Sequence, residues 1–460
     1  MKLELTTSAW LAFAAAAGLW FGSIYFTRDP DSRAGWTWRS IPLSFFGLAW
    51  IAFGFTFILR FLLLVYDPVL FRATQFPLWQ LPPAAFPWLW MVIGLFWLAF
   101  TTGYLLVTRL SPYRPMILGK LDLLGAPGNS PTLDILVFCC ACLVILSGRG
   151  FVPRALDTPL AILGGFYAMA ATAAWFSYFQ TGTGDLRRFF YLLPGLFVYF
   201  FSPFRALIFA VVLCIVVPAL KTRRWVSLAT FLLVMVSLLI LTTIVNDYRR
   251  AQMQAEISTR GDASLEGNWW ENPGKTPWVR LGKRFHGFDS VALTMHFVPS
   301  FFPHSHINIF TDLFWRLIPR SIADKKADTH RGRAFSTTIW AMGTTGLTKR
   351  QEANISPTMC ADLYQINGIP LVMVGAAFYG LLVGLLESWQ RRGGLLSSSI
   401  FLVLFGMPVA LGIEQEFNFA AATLLQVIIG FFLFLLFLPI FTRSDMPKKF
   451  VRDSDINRQQ

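Results

Sequence analysis

The stretch LIPRSIADKKADTHRGR, residues 317–333, gathers Arg320, Lys325, Lys326, His330, Arg331 and Arg333 in a chain that is otherwise mostly apolar. Cationic side chains at this density bind anions, and a guanidinium offers a planar fork of donors that matches phosphate or pyrophosphate oxygens. The whole segment 246–364 is basic, with 15 Lys and Arg against 11 Asp and Glu. Attraction to anionic lipid head groups, or plain solvation, is the competing reading of each of these cations. Other chemistry is poorly provided for. The sequence holds no GxxxxGK[ST] phosphate loop, no HExxH, no GxSxG and no GxGxxG placed after a strand, which argues against ATP hydrolysis and zinc proteolysis. Cys139, Cys140 and Cys142 in FCCACL lie in an apolar run without a neighbouring His, so they read as helix packing rather than a metal site. Cys214 also falls in an apolar run, which leaves Cys360 as the one thiol expected outside the membrane and no internal disulfide there.

The elements that must position these cations are membrane spans. With 460 residues, mean hydropathy +0.55, 55% hydrophobic and 14% charged residues, the composition excludes an ordinary soluble enzyme. Apolar runs of helix-spanning length fall at 8–26, 41–66, 86–107, 132–146, 159–179, 189–201, 204–220, 226–245, 365–386, 396–411 and 419–441. The expected fold is therefore an all-α polytopic integral membrane protein of about eleven transmembrane helices. Its parts are N-terminal spans (1–245), a large and partly helical external loop (246–364), C-terminal spans (365–441) and a basic tail (442–460). The first span reads as retained, since Glu4 dilutes the basic start and no small-residue cleavage site follows.

Charge sets the orientation. Short connections of one parity and the tail hold 18 Lys and Arg, while the opposite set, without the long loop, holds five: Lys2, Arg72, Arg149, Arg154 and Arg205. Positive residues favour the cytoplasm, so the C-terminus is expected inside and 246–364 outside, in the periplasm. Arg60 lies near the outer end of its span and reads as a snorkelling side chain. Together with Arg149, Arg154 and Arg205, it is placed to converge with the loop cations on one external cavity. Within the loop, FHGFDSVALTMHFVPSFFP predicts a short amphipathic helix capped by Asp289 or Ser290. TDLFWRLIP predicts another, capped by Thr311 and stopped at Pro319. Both are expected on or dipping into the membrane surface, with Trp269, Trp270, Trp278, Phe301, Phe302 and Trp315 at interfacial depth.

The order of features resembles a known family, the O-antigen and exopolysaccharide repeat-unit polymerases (Wzy-like). The resemblance rests on SPFRALIFAVVLCIVVPALKTRR, then the long external loop with LIPRSIADKK, then NISPTMCADLYQINGIPLVMVGAAFYGLLVGLL; it covers 202–386. It implies transfer of a glycan from one polyprenyl pyrophosphate to another lipid-linked repeat unit, without nucleotide sugar, metal or other cofactor. The implied partners are the polyprenyl-pyrophosphate-linked oligosaccharide, the bilayer and a chain-length regulator, with no nucleic acid; the implied place is a bacterial inner membrane. Departure of a lipid pyrophosphate develops negative charge that fixed guanidinium groups stabilise. On motif position, Arg284 in KRFHGFD, Arg320, Lys325 and Lys326, with Arg205 heading the matched helix, are the pyrophosphate-binding residues.

An acceptor hydroxyl calls for a base. The choices are His286 and Asp289, three apart on one helical face, and Glu414 and Glu416 in the short external loop GIEQEFN. Asp362 is a further carboxylate, with a helix-start charge as its plainer role. Plainer roles also compete at Asp289, as a cap, and at Glu414 and Glu416, as a solvated turn; Ser356 and Pro357 shape the start of the following span. An O-antigen ligase has the same layout and leaving group with a different acceptor. A lipid-linked oligosaccharide flippase fits less well, because the chain shows no internal repeat. A transferase using a polyprenyl-phosphate sugar would place an acidic pair such as Asp29 and Asp31 of TRDPDSR outside, where charge puts that loop inside.

Overall fold

The computed structural model describes residues 5–27, 41–66, 81–110, 287–318 and 357–442, with isolated positions at 169–176, the piece 216–222 and positions 335 and 339. Among these residues every regular element is helical. They are α1 (Thr7–Phe26), α2 (Phe45–Phe53), α3 (Arg60–Tyr66), α4 (Ala85–Leu110), α5 (Gly287–Phe297), α6 (Ile309–Leu317), α7 (Met359–Arg392), α8 (Leu395–Gly412) and α9 (Phe417–Thr442). A π-helical stretch, Gly54–Leu59, joins α2 to α3, so Phe45–Tyr66 runs as one 22-residue span. That span, α1, α4, α7 and α8 are the five described helices long and apolar enough to cross a membrane. The expected spans at 132–146, 189–201 and 226–245 lie outside the described residues, and only pieces of 159–179 and 204–220 are described.

Polar caps start these helices where the apolar runs begin. Thr6 accepts from the Ala9 amide at 3.2 Å, and Ser44 accepts from the Gly47 amide at 2.9 Å. Thr358, which hydropathy does not reveal, accepts from the Ala361 amide and starts α7 at Met359, six residues before the expected span. Its far end also overruns, because its polar residues find partners inside the bundle. Glu387 accepts from the Phe45 and Phe46 amides at 2.6 and 3.4 Å, meeting the bare N–H groups at the start of α2. Arg391 donates to Glu387 at 3.2 Å and to the Tyr104 hydroxyl at 3.1 Å, and Gln390 donates to the Leu43 carbonyl.

Side-chain pairs fix the helix directions. Phe13 meets Trp90 and Trp97 donates to Ser23, so α1 and α4 run the same way. Between α1 and α2 the indoles of Trp20 and Trp50 stack at 4.2 Å. Each N–H bonds the other residue's carbonyl, at 2.9 and 2.8 Å, and Phe13 meets Phe61, so these spans are antiparallel. Phe100 meets Tyr379, and Tyr104, further along α4, accepts from Arg391, further along α7, so the two helices are parallel; they are also very close. A Cβ added at Gly380 would stand 2.0 Å from the Phe100 carbonyl oxygen, and one at Gly103 would stand 2.1 Å from that of Ala377. Small residues allow this approach, in which backbone dispersion replaces the hydrophobic drive that lipid cannot supply. Tyr379 donates to the Pro408 carbonyl and Trp389 meets Phe401, which makes α8 antiparallel to α7. Contacts Phe378–Phe417 and Trp389–Phe432 make α9 parallel to it.

Helix α7 breaks once, at Asn367 and Gly368, where Gly368 has φ +66°, a left-handed conformation that favours glycine. Pro370 has no amide to return to the Ile366 carbonyl. That carbonyl and the one at Gln365 instead accept from His306 and Ser305, at 3.0 and 3.2 Å. Freed backbone groups at a broken membrane helix are thus satisfied by protein.

Two expectations about the loop helices are corrected. Helix α5 begins at Gly287, which puts Asp289 in its first turn rather than at a cap, and it does not lie on the surface. Phe288 is buried against Phe61 and Trp90 at 5.1 and 5.3 Å. In α6 the cap is Asn308, which accepts from the Phe310 and Thr311 amides, so Thr311 lies within the helix; α6 stops at Leu317, ahead of Pro319.

Candidate functional site

One end of the bundle, where α3 finishes and α7 and α9 begin, concentrates buried charge. Arg60 follows directly on the π stretch and is 1% exposed. Its Nη2 and Nε both donate to Oδ2 of Asp289, at 2.5 and 3.2 Å, while Asp289 Oδ1 has no hydrogen-bond partner among the described residues. Arg60 therefore does not snorkel; it neutralises a carboxylate carried in by α5. The next residue, Ser290, accepts from the Thr358 amide at 3.2 Å and ties α5 to the start of α7. Gly287 lets α5 approach: a Cβ there would stand 2.0 Å from the Thr56 methyl.

Thr56, within the π stretch, donates to Oε1 of Glu414 at 3.0 Å. π-Bulges commonly mark positions where a helix must present a group to a site. Glu414 sits in the short connection between α8 and α9 and is partly exposed. Desolvation pushes its carboxyl up to about 7, with the Thr56 hydrogen bond acting in the opposite direction. Two residues on, Glu416 is buried and pairs with Arg316 of α6 at 3.3 Å; the Arg316 guanidinium lies 6.0 Å from the Phe419 ring centroid. The two glutamates therefore do not form a solvated turn. Asp362, in the first turn of α7, accepts from the Phe417 amide at 3.0 Å and so also caps α9.

A third group was not read from the sequence. The His304 ring places Nδ1 3.1 Å from the Tyr364 carbonyl, which can only accept, so Nδ1 carries the proton. Its Nε2 then lies 3.7 Å from where a Cβ at Gly368 would stand. The His306 ring is 6.1 Å away, on a residue with φ 47°. The available signal was PHSHIN, two His separated by one residue just before a helix cap. Of the expected site residues, Asp289, Glu414 and Glu416 come together at this end, through Thr56, Gly287 and the start of α9. His286, Arg205, Arg284, Arg320, Lys325 and Lys326 lie outside the described residues. Among the described residues no three His, Cys, Asp or Glu gather as metal ligands do. Cys360, expected as an external thiol, is buried in the first turn of α7.

These features define a class: an all-helical protein with several membrane-length apolar helices and a cluster of paired charges at one end of the bundle. Comparison with protein-family models, curated proteins and solved structures finds no match for the chain.

Proposed function

We propose that the protein is a glycosyltransferase that polymerises polyprenyl-pyrophosphate-linked oligosaccharide repeat units on the periplasmic face of a bacterial inner membrane. The observation that carries the reading is the contrast among its carboxylates. Asp289 and Glu416 are each committed to an arginine, whereas Glu414 is held by a neutral hydroxyl, partly open, and raised to about 7. A base poised near operating pH is the one suited to proton transfer. Glu414 takes the proton of the acceptor hydroxyl, the oxygen attacks the anomeric carbon, and the bond from that carbon to pyrophosphate breaks. The leaving lipid pyrophosphate keeps the electron pair. Arg284, Arg320, Lys325, Lys326 and Arg205 are the residues that neutralise it, and His286 is the alternative base. No metal or nucleotide enters this step. The parallel course of α4 and α7 agrees with this arrangement in parity alone, since two parallel membrane helices need an odd number of crossings between them, and five are expected.

The test is mass spectrometry of carrier-linked glycans, with a polysaccharide gel, from cells lacking the protein and from cells carrying Arg320→Ala or Glu414→Gln. Single repeat units on the carrier with loss of long chains are expected in all three. Full-length chains accumulating on the carrier would make the protein a ligase, and unchanged pools would remove glycan assembly altogether.

A further inference from the structure

We propose that α6 is embedded in the bilayer, with Phe310, Phe314 and Trp315 lying against lipid acyl chains. The helix is inside out for a segment standing in water. Its charged residues turn inward: Asp312 accepts from Asn418 at 3.2 Å, and buried Arg316 pairs with Glu416. Its aromatics turn outward, with Phe310, Phe314 and Trp315 exposed by 54%, 62% and 45%. Three bulky aromatics on one face of a nine-residue helix form an apolar patch that water would disfavour and hydrocarbon would not.

Depth points the same way. The Arg316 carbonyl accepts from Gln426 at 3.2 Å, and Gln426 stands nine residues into α9, about 14 Å along it at the usual helical rise. Phe310 meets Phe378, a residue well inside the span formed by α7. From that level the Arg316 side chain reaches back to Glu416 at the start of α9, as cations near a membrane edge do. The helices that α6 packs against expose apolar side chains of the same kind, Met373 and Val374 on α7 and Ile429 and Leu433 on α9, as a span must toward lipid. The segment from Phe301 to Ile318 thus descends into the bilayer rather than standing in water as a lid. The occupant of its outer face is the bilayer itself, whatever reaction the protein performs.

Photo-crosslinking tests this. The full chain, with p-benzoylphenylalanine in place of Phe314, is reconstituted into phosphatidylcholine–phosphatidylglycerol vesicles, irradiated and weighed intact; Trp315 serves as a second site and Val374 as the reference. Lipid adducts at 314 and 315 in yields comparable to that at 374 are expected. Loss of the adduct at both sites while 374 still reacts would overturn the proposal, and so would crosslinking to a second copy of the chain.

Discussion

Glu414 is the base in the proposed reaction, and its environment gives a signed prediction whatever its role. Between its ordinary value of 4.5 and about 7, the folded chain keeps a proton that the unfolded chain has lost. The contribution of Glu414 to stability is therefore whole below pH 4.5 and disappears as pH rises through 7. In detergent, thermal unfolding should show Glu414→Gln gaining on the parent between pH 5 and pH 8; a constant difference would remove the desolvated carboxyl. Transfer activity of the same variant should fall by about 10²–10⁴-fold, the usual worth of a general base, and the parent's rate should rise with pH around 7. The Arg60–Asp289 pair behaves differently. Arg60→Met leaves a buried carboxylate without its cation and should cost about 3–5 kcal/mol in unfolding experiments, while Arg60→Met with Asp289→Leu should recover most of that loss. Glu414 and Glu416 were legible as carboxylates in a short loop. Their partners were not, because Thr56 and Arg316 lie 358 and 100 positions away, and the choice of partner left one beside a neutral hydroxyl and made the other half of an ion pair.

Among the elements, the α4–α7 contact is the most demanding. Gly380→Ala puts a methyl group where the Phe100 carbonyl already stands, so the helices must separate at a cost of about 1–3 kcal/mol. Gly22→Ala on α1, with nothing within 4 Å, should be neutral or stabilising by up to about 1 kcal/mol, and thermal melts of the two variants would separate packing from propensity. The apolar runs located every described span, since hydropathy reports what lipid demands. The ends were misplaced where polar residues carried a helix further, at Thr358 and at Glu387 to Arg391. The burial of α5 was also hidden. Its pattern of apolar and polar residues suits a water–lipid boundary, and the cation that makes a buried Asp289 tolerable, Arg60, waits 229 positions earlier.

At the scale of the molecule, the alternating helix directions predict sidedness without reference to charge. A membrane-impermeant maleimide should label Cys variants at Leu110 and Leu395 from one face, and at Tyr66 and Phe301 from the other; all four positions are exposed, while Cys360 is buried. Labelling of 110 and 66 from the same face would contradict the antiparallel pairing of α4 with the α2–α3 span. The general architecture followed from composition, but the meeting of α5 and α6 with the spans depends on contacts across hundreds of residues. The crossed indoles of Trp20 and Trp50 have a consequence for how the chain is made. Each satisfies a donor that hydrocarbon would leave bare, so the first two spans can pair as soon as both have left the translocation channel. Arg60, Thr56 and the opening amides of α2 still wait for Asp289, Glu414 and Glu387, so this hairpin is a foundation that the later spans finish during synthesis.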